Sequence, residues 1–217
     1  MMEQTDFSVG TNNDWYKKEY EKKIQGMRVL INIMFILSIV QQIFSLQENE
    51  YIGILSSEMM EVGNYLIIIT EVLIIVLFYK LAKYNEKFKI AGVSRIFSSV
   101  SSVLILFGMA AESPFAAFIF AVLMFMFSEA SVFFEMQGYA DILIGIDNKL
   151  SDEWEKLWKI TITVNISSFL GIYMAGQYIL LDIIVVLLMV GNLIMIVMRI
   201  IKLNKTCKAL AKHSFDN

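Results

Sequence analysis

Apolar residues in this chain gather into long unbroken runs, not into the alternation of half-buried strands, and short clusters of charged or turn-forming residues separate the runs. A hydrocarbon core of ~30 Å takes about 20 mainly apolar helical residues to cross. Six runs meet that need: Met27 to Leu46, Val62 to Ala82, Ser94 to Ala111, Phe115 to Met136, Trp158 to Gly176 and Ile179 to Ile201, the third being the shortest. In lipid each backbone N–H and C=O must be satisfied within its own segment, so such runs read as helices. The pattern predicts an all-α polytopic membrane protein, with a six-transmembrane-helix bundle over residues 27-201.

The stretch from Ser113 to Gln177 shows the design most plainly. Ser113 and Pro114 read as the N-cap and first position of a helix, because a serine oxygen accepts orphan N–H bonds and proline has no donor to leave unpaired. From Phe115 the chain stays apolar to Met136, with Glu129 the only charge before Glu135. Past Asp147, Asn148 and Lys149 it restarts at Ser151, and Asp152 and Glu153 suit the positive end of a helix dipole. The whole reads as a hairpin that crosses a bilayer twice.

Ahead of the first run, Tyr16, Tyr20, Ile24 and Met27 recur at helical spacing, and Glu19 and Lys23 are placed for an i,i+4 pair. Residues 15-26 therefore read as an interfacial amphipathic helix. Residues 1-14 read as a disordered tail without the apolar centre of a signal peptide, which leaves insertion to the first run. Residues 202-217 read as a basic cytoplasmic tail.

Composition agrees with the pattern. Of 217 residues, 57% are hydrophobic and 18% charged, too apolar for a domain whose surface meets water all round. A single cysteine, Cys207, excludes an intrachain disulfide, and a single histidine, His213, excludes a His-rich metal site.

The cations set the expected topology. Lys17, Lys18, Lys22, Lys23 and Arg28 precede or open the first run; Lys80, Lys83, Lys87, Lys89 and Arg95 surround the second connection. Lys149, Lys156 and Lys159 lie in the fourth connection, and Arg199, Lys202, Lys205, Lys208 and Lys212 follow the last run, which accounts for all 18. Cytoplasmic loops retain Lys and Arg. Six spans with both termini in the cytoplasm put every cation on one side, and neither five nor seven spans do so. The first external loop keeps only Glu48, Glu50, Glu58 and Glu61, readable as a cation-attracting vestibule or as the plain residue of an outside loop. The basic tail suits anionic headgroups as well as simple anchoring.

Ionisable groups inside a bilayer are costly enough to count as candidate sites. Glu71 lies near the middle of the second run and Glu129 in the inner half of the fourth. With Asn32, Ser98, Ser101, Asn165 and Asn192 they fall between midplane and cytoplasm, which predicts a polar cavity open to the inside. Gln41, Gln42, Glu112, Gln177 and Asp182 form a second, outer group. The two carboxyls read either as a solute or ion path or as protonated groups bonded to neighbouring helices. The small stripe of Ala117, Ala121, Ser128, Ser131 and Glu135 predicts close helix packing.

Catalytic patterns are missing from the sequence: there is no H-E-x-x-H, no P-loop, and no histidine in the runs to activate a nucleophile. Carboxylates for a Mg²⁺ site, Glu129, Glu135, Asp141 and Asp147, do not share a helix face. No enzyme activity, cofactor, metal or nucleic-acid partner is expected. The expected function is a small transport protein, or the substrate-binding membrane subunit of a multi-component transporter, in a plasma membrane. The alternative is a sensor, immunity or assembly protein that docks a membrane or cytoplasmic subunit through the hairpin bend at Asp141, Ile142, Ile146, Asp147 and Leu150.

Overall fold

The computed structural model describes residues 10–47, 57–174 and 179–215, and each element among them is a helix. These are α1 (Gly10–Gln47), α2 (Ser57–Leu81), α3 (Lys87–Ala110), α4 (Pro114–Leu143), α5 (Asn148–Met174) and α6 (Ile179–Phe215). Each packs on its neighbour in sequence, and α1 closes on α6, giving a ring of six antiparallel helices. The tightest seam is α3 against α4: a Cβ on Gly108 would stand 2.9 Å from the backbone nitrogen of Ala117. Small residues at these positions let the two backbones meet.

Five stretches are long and apolar enough to cross a membrane: Trp15–Ile43, Val62–Leu81, Lys87–Ala110, Pro114–Leu143 and Ile183–His213. α5 is the exception. Its first turns carry Lys149, Asp152, Glu153, Glu155, Lys156 and Lys159, and its apolar half is broken by Thr161, Thr163, Asn165, Ser167 and Ser168.

Several helices outrun a bilayer. α1 has 38 residues and α6 has 37, about 57 and 55 Å at 1.5 Å per residue, against a core of ~30 Å. The α2–α3 and α4–α5 turns share one end of the ring with the start of α1 and the close of α6. Tyr20 Oη lies 3.3 Å from His213 Nε2, a Cβ on Gly26 would meet the Tyr84 hydroxyl, and Lys87 Nζ reaches Asp141 at 2.8 Å. This is the basic end.

The buried core sits there as well. Ile31, Leu81, Leu143, Leu203 and Leu210 are wholly buried, around an aromatic layer that crosses the ring. In that layer Phe78 stacks on Phe88, Phe88 meets Tyr139 edge-on at 5.2 Å, and Tyr139 lies 4.9 Å from Trp154. The Trp154 indole donates to Thr206 on α6 at 3.0 Å. Toward the other end Tyr65, Ile68, Leu106, Phe107, Phe115 and Leu187 are more than half exposed. Packing there leaves a continuous apolar exterior, the arrangement an apolar solvent rewards.

Local details depart from the sequence reading. The expected interfacial helix 15-26 is the first part of one continuous α1, which also takes in residues 10–14 of the expected disordered tail. The expected basic tail is the last part of α6, with Lys202, Thr206, Cys207 and Leu210 buried against the core. Pro114 does occupy the first turn of α4, but the Ser113 side chain makes no cap bond. α5 starts three residues before Ser151: Asp147 Oδ1 accepts from the Leu150 amide at 3.0 Å, while the Ser151 hydroxyl donates across the hairpin to the Ala140 carbonyl at 2.8 Å. Gly145, at φ 82°, makes the left-handed bend between the helices. Glu48, Glu50 and Gln177 lie outside the described residues, as do the side chains of Glu58, Glu61 and Asp182.

Candidate functional site

Two ionic centres occupy the interior, with separate hydrogen bonds but close enough for the Glu71 charge to act on Arg199 of the second. In the first, Arg95 of α3 donates from Nε to Glu71 Oε1 at 2.6 Å and from Nη2 to Glu71 Oε2 at 2.7 Å. Gln41 of α1 donates to the same Oε2 at 2.8 Å and accepts from Arg95 Nη2 at 3.1 Å. The guanidinium fork matches the carboxylate, and the amide closes the triangle. Glu71 is thus bonded on both oxygens and neutralised. The sequence pattern places Arg95 beside the second connection and Gln41 in the outer group; the structure brings both to Glu71, because α3 begins at Lys87 and a long arginine reaches inward from its third turn.

The second centre runs along α4, α5 and α6. Asn192 Nδ2 donates to Ser168 Oγ at 2.8 Å, and Asn165 Nδ2 donates to Glu129 Oε1 at 2.8 Å. Farther toward the basic end, Arg199 of α6 donates from Nη2 to the wholly buried Glu135 of α4. Between and beneath these bonds lie seven buried polar atoms that no group in the described protein meets: Glu129 Oε2, Ser131 Oγ, Glu135 Oε1, Tyr139 Oη, Trp158 Nε1, Thr161 Oγ1 and Arg199 Nε. All seven belong to α4, α5 and α6. Tyr139 lies within electrostatic reach of Glu135 without a hydrogen bond of ordinary geometry between them. From Ser168 down to Trp154 this polar track follows α5 for about 21 Å.

The expected single cavity is therefore divided. Glu71 belongs to the first centre; Glu129, Asn165 and Asn192 belong to the second. Ser98 donates to the Met124 carbonyl of α4 at 3.2 Å, while the Ser101 hydroxyl is spent on Phe97 of its own helix at 2.8 Å. Asn32 is exposed on the outside of α1. Nor is the track open at the basic end, where Phe78, Phe88, Tyr139 and Trp154 fill the ring. The inward opening was inferred from depth along each run, which carries no information on what plugs the space between helices.

The hairpin bend is also more self-contained than expected. Asp141 pairs with Lys87 at 2.8 Å and accepts from Asn85 at 2.8 Å, Asp147 caps α5, Leu150 is buried, and Ile142 and Ile146 pack on the core. Ile144, 68% exposed, is the apolar residue of the bend that stands clear of the core. Beside it Lys202 donates to Glu153 at 2.7 Å, and that hydrogen bond holds the Glu153 carboxyl below its ordinary range. Among the described residues no three His, Cys, Asp or Glu side chains converge on a point that could hold a metal ion. Glu129, Glu135, Asp141 and Asp147 each bond to a different partner.

Arg95, Gln41, Glu135, Arg199, Tyr139 and Trp158 are the interior residues that position along the chain did not single out as site members. Acid and base facing each other at matched helix depth, Glu71 with Arg95 and Glu135 with Arg199, was the signal that could have found them. Comparison with known proteins adds no name to this geometry: no protein-family model, no curated protein and no solved structure matches the chain.

Proposed function

We propose that the chain is a small membrane transport protein, or the substrate-binding membrane subunit of a multi-component transporter, that handles a small polar solute along the α4–α5–α6 track. In this reading α5 is a sixth span, both termini are cytoplasmic, and the protein sits in a plasma membrane. The observation that carries it is the set of seven orphaned buried polar atoms, all on three adjacent helices. A buried polar group without a partner costs ~1–3 kcal/mol, so groups of this kind call for a partner of their own. A hydroxylated or amide-bearing solute, or a file of water serving a proton, offers the donors and acceptors required. The polar half of α5 then has its explanation: a span that lines a path needs Thr161, Asn165 and Ser168 where a lipid-facing span would carry Leu or Ile. The aromatic layer beneath forms the cytoplasmic gate, which has to part for release.

Native mass spectrometry of the protein purified in mild detergent tests this. A small molecule held at one per chain, retained by Glu71→Gln but lost on Glu129→Gln and on Thr161→Val with melting unchanged, is the expected result. A stoichiometric protein partner with no small molecule would replace transport by an interaction role.

A further inference from the structure

Outside the ring, a groove of about 1370 Å³ runs between the first half of α1 and the last turns of α2. Its lower part is cationic: Lys18, Lys22 and Lys23 on one wall and Lys80 and Lys83 on the other, against Glu19 alone. Among the described residues none of the five lysines forms an ion pair within 4.0 Å, and the Glu19–Lys23 pair suggested by their spacing is not made. Lys83 instead rests over the Tyr84 ring at 4.7 Å. The upper part changes character. Val29, Leu30 and Tyr79 line it, and the exposed side chains of Ile33 and Val76 continue its apolar walls up the same two helices. Between the two parts Tyr84 forms the floor, packed on Gly26 so closely that a Cβ there would stand 2.6 Å from its hydroxyl.

We propose that this groove is a binding site for an anionic phospholipid, with the phosphate among the lysine ammonium groups and the acyl chains along Val29, Ile33 and Val76. The occupant follows from the gradient along the groove. A free phosphate would use only the charged end and leave the apolar wall unexplained, and a soluble acidic peptide would leave the same wall uncovered. A phospholipid matches both, and it matches them in order, charge toward the basic end and hydrocarbon toward the apolar exterior. Lysine suits the role as a mobile point charge on a stem that packs along apolar surface.

A second basic groove supplies the internal control. Lys149, Lys205, Lys208 and Lys212 line a smaller space of about 350 Å³ between α5 and α6, but Asp147 and Glu153 share it, and its apolar residues, Leu150 and Ala209, belong to the core and its margin. Charge without an apolar wall leading into the membrane should not hold a lipid.

The test uses the full chain in detergent, titrated with phosphatidylglycerol or with phosphatidylcholine of the same chains and read by native mass spectrometry. Phosphatidylglycerol should remain bound where phosphatidylcholine does not. Changing Lys22, Lys23, Lys80 and Lys83 together to Gln should weaken retention about tenfold or more, and changing the same four to Arg should preserve it. Lys205→Gln with Lys208→Gln and Lys212→Gln should leave it unchanged. Equal retention of the two lipids, failure of the Arg set, or equal loss from the tail lysines would overturn the site. Displacement of the lipid by millimolar inorganic phosphate would make it a free-anion site and overturn the lipid assignment as well.

Discussion

The two ionic centres use the same chemistry and finish it differently. Around Glu71, three helices each contribute one group, and carboxylate, guanidinium and amide satisfy one another. Around Glu135 and Arg199 the pair forms, yet one oxygen of the acid, the Nε of the base and the neighbouring Ser131 and Tyr139 hydroxyls are left over. An ion pair taken out of water is costly unless its remaining hydrogen-bonding capacity is met. The closed triangle ties α1, α2 and α3 together; the track along α4, α5 and α6 leaves hydrogen-bonding capacity unmet by the described protein. An intramembrane carboxylate therefore does not by itself mark a path. On the proposed transport reading, the spare bonds around it do.

The strongest way to break this contrast is to remove each acid in turn. Glu135→Ala leaves Arg199 without its hydrogen-bonded anion, and loss of one partner from such a pair typically costs ~3–5 kcal/mol. Glu71→Ala leaves Arg95 its bond to Gln41, so a smaller loss of about 1.5–3 kcal/mol is expected, the range for hydrogen bonds to a charged group. Unfolding in detergent with a mild denaturant orders the two. If Glu71→Ala were the more damaging, the triangle would be the dominant interior element and the α4–α6 pair a peripheral one.

A finer cut is Thr161→Val, which removes one orphaned hydroxyl and keeps the shape. In a dry packing defect the change would relieve the penalty of a buried unmet group and stabilise the protein by ~1–3 kcal/mol. If the hydroxyl serves a bound solute or water file, that relief disappears. The expected outcome is a stability change under about 0.5 kcal/mol, as for substitutions that break no protein contact, together with lower ligand retention. The matching change at Ser101, whose hydroxyl already bonds Phe97, should alter neither retention nor the contrast.

How much of this was legible in the sequence follows the same divide. The helices were legible because apolar runs of spanning length leave the backbone one solution, and Pro114 marked a start that the structure keeps. Cation placement anticipated that the start of α1, the close of α6 and the α2–α3 and α4–α5 turns would share one end of the ring. The extent of α1 and α6 was not, because past the apolar run the core is continued by widely spaced residues such as Leu203 and Leu210 among lysines, which read locally as a tail. The polar residues were found by type but grouped by depth. Depth along a helix is a one-dimensional quantity, and whether Gln41 meets Glu71 or Glu112 depends on rotation about the helix axes. Asn32 failed for that reason: its level was right and its face was outward. Arginine was misread through its length, since Arg95 was counted with the connection while its guanidinium works several ångströms deeper.

The smallest expected effect lies at the rim below both centres, where Lys202 bonds Glu153. That bond holds the Glu153 carboxyl below its ordinary value of 4.5, so its contribution to stability is present above pH 4.5 and is lost as pH falls through the lower, folded value. Glu153→Gln cannot ionise. At neutral pH the variant should melt below the wild type, by little because the pair is partly exposed, and the gap should close as the pH drops below 4.5. A gap that stays constant into acid would mean that the Glu153 charge contributes nothing and that the loss comes from the altered contact alone. The contrast between the closed triangle and the track would then rest on the Glu71–Arg95 and Glu135–Arg199 pairs, without support from this rim contact.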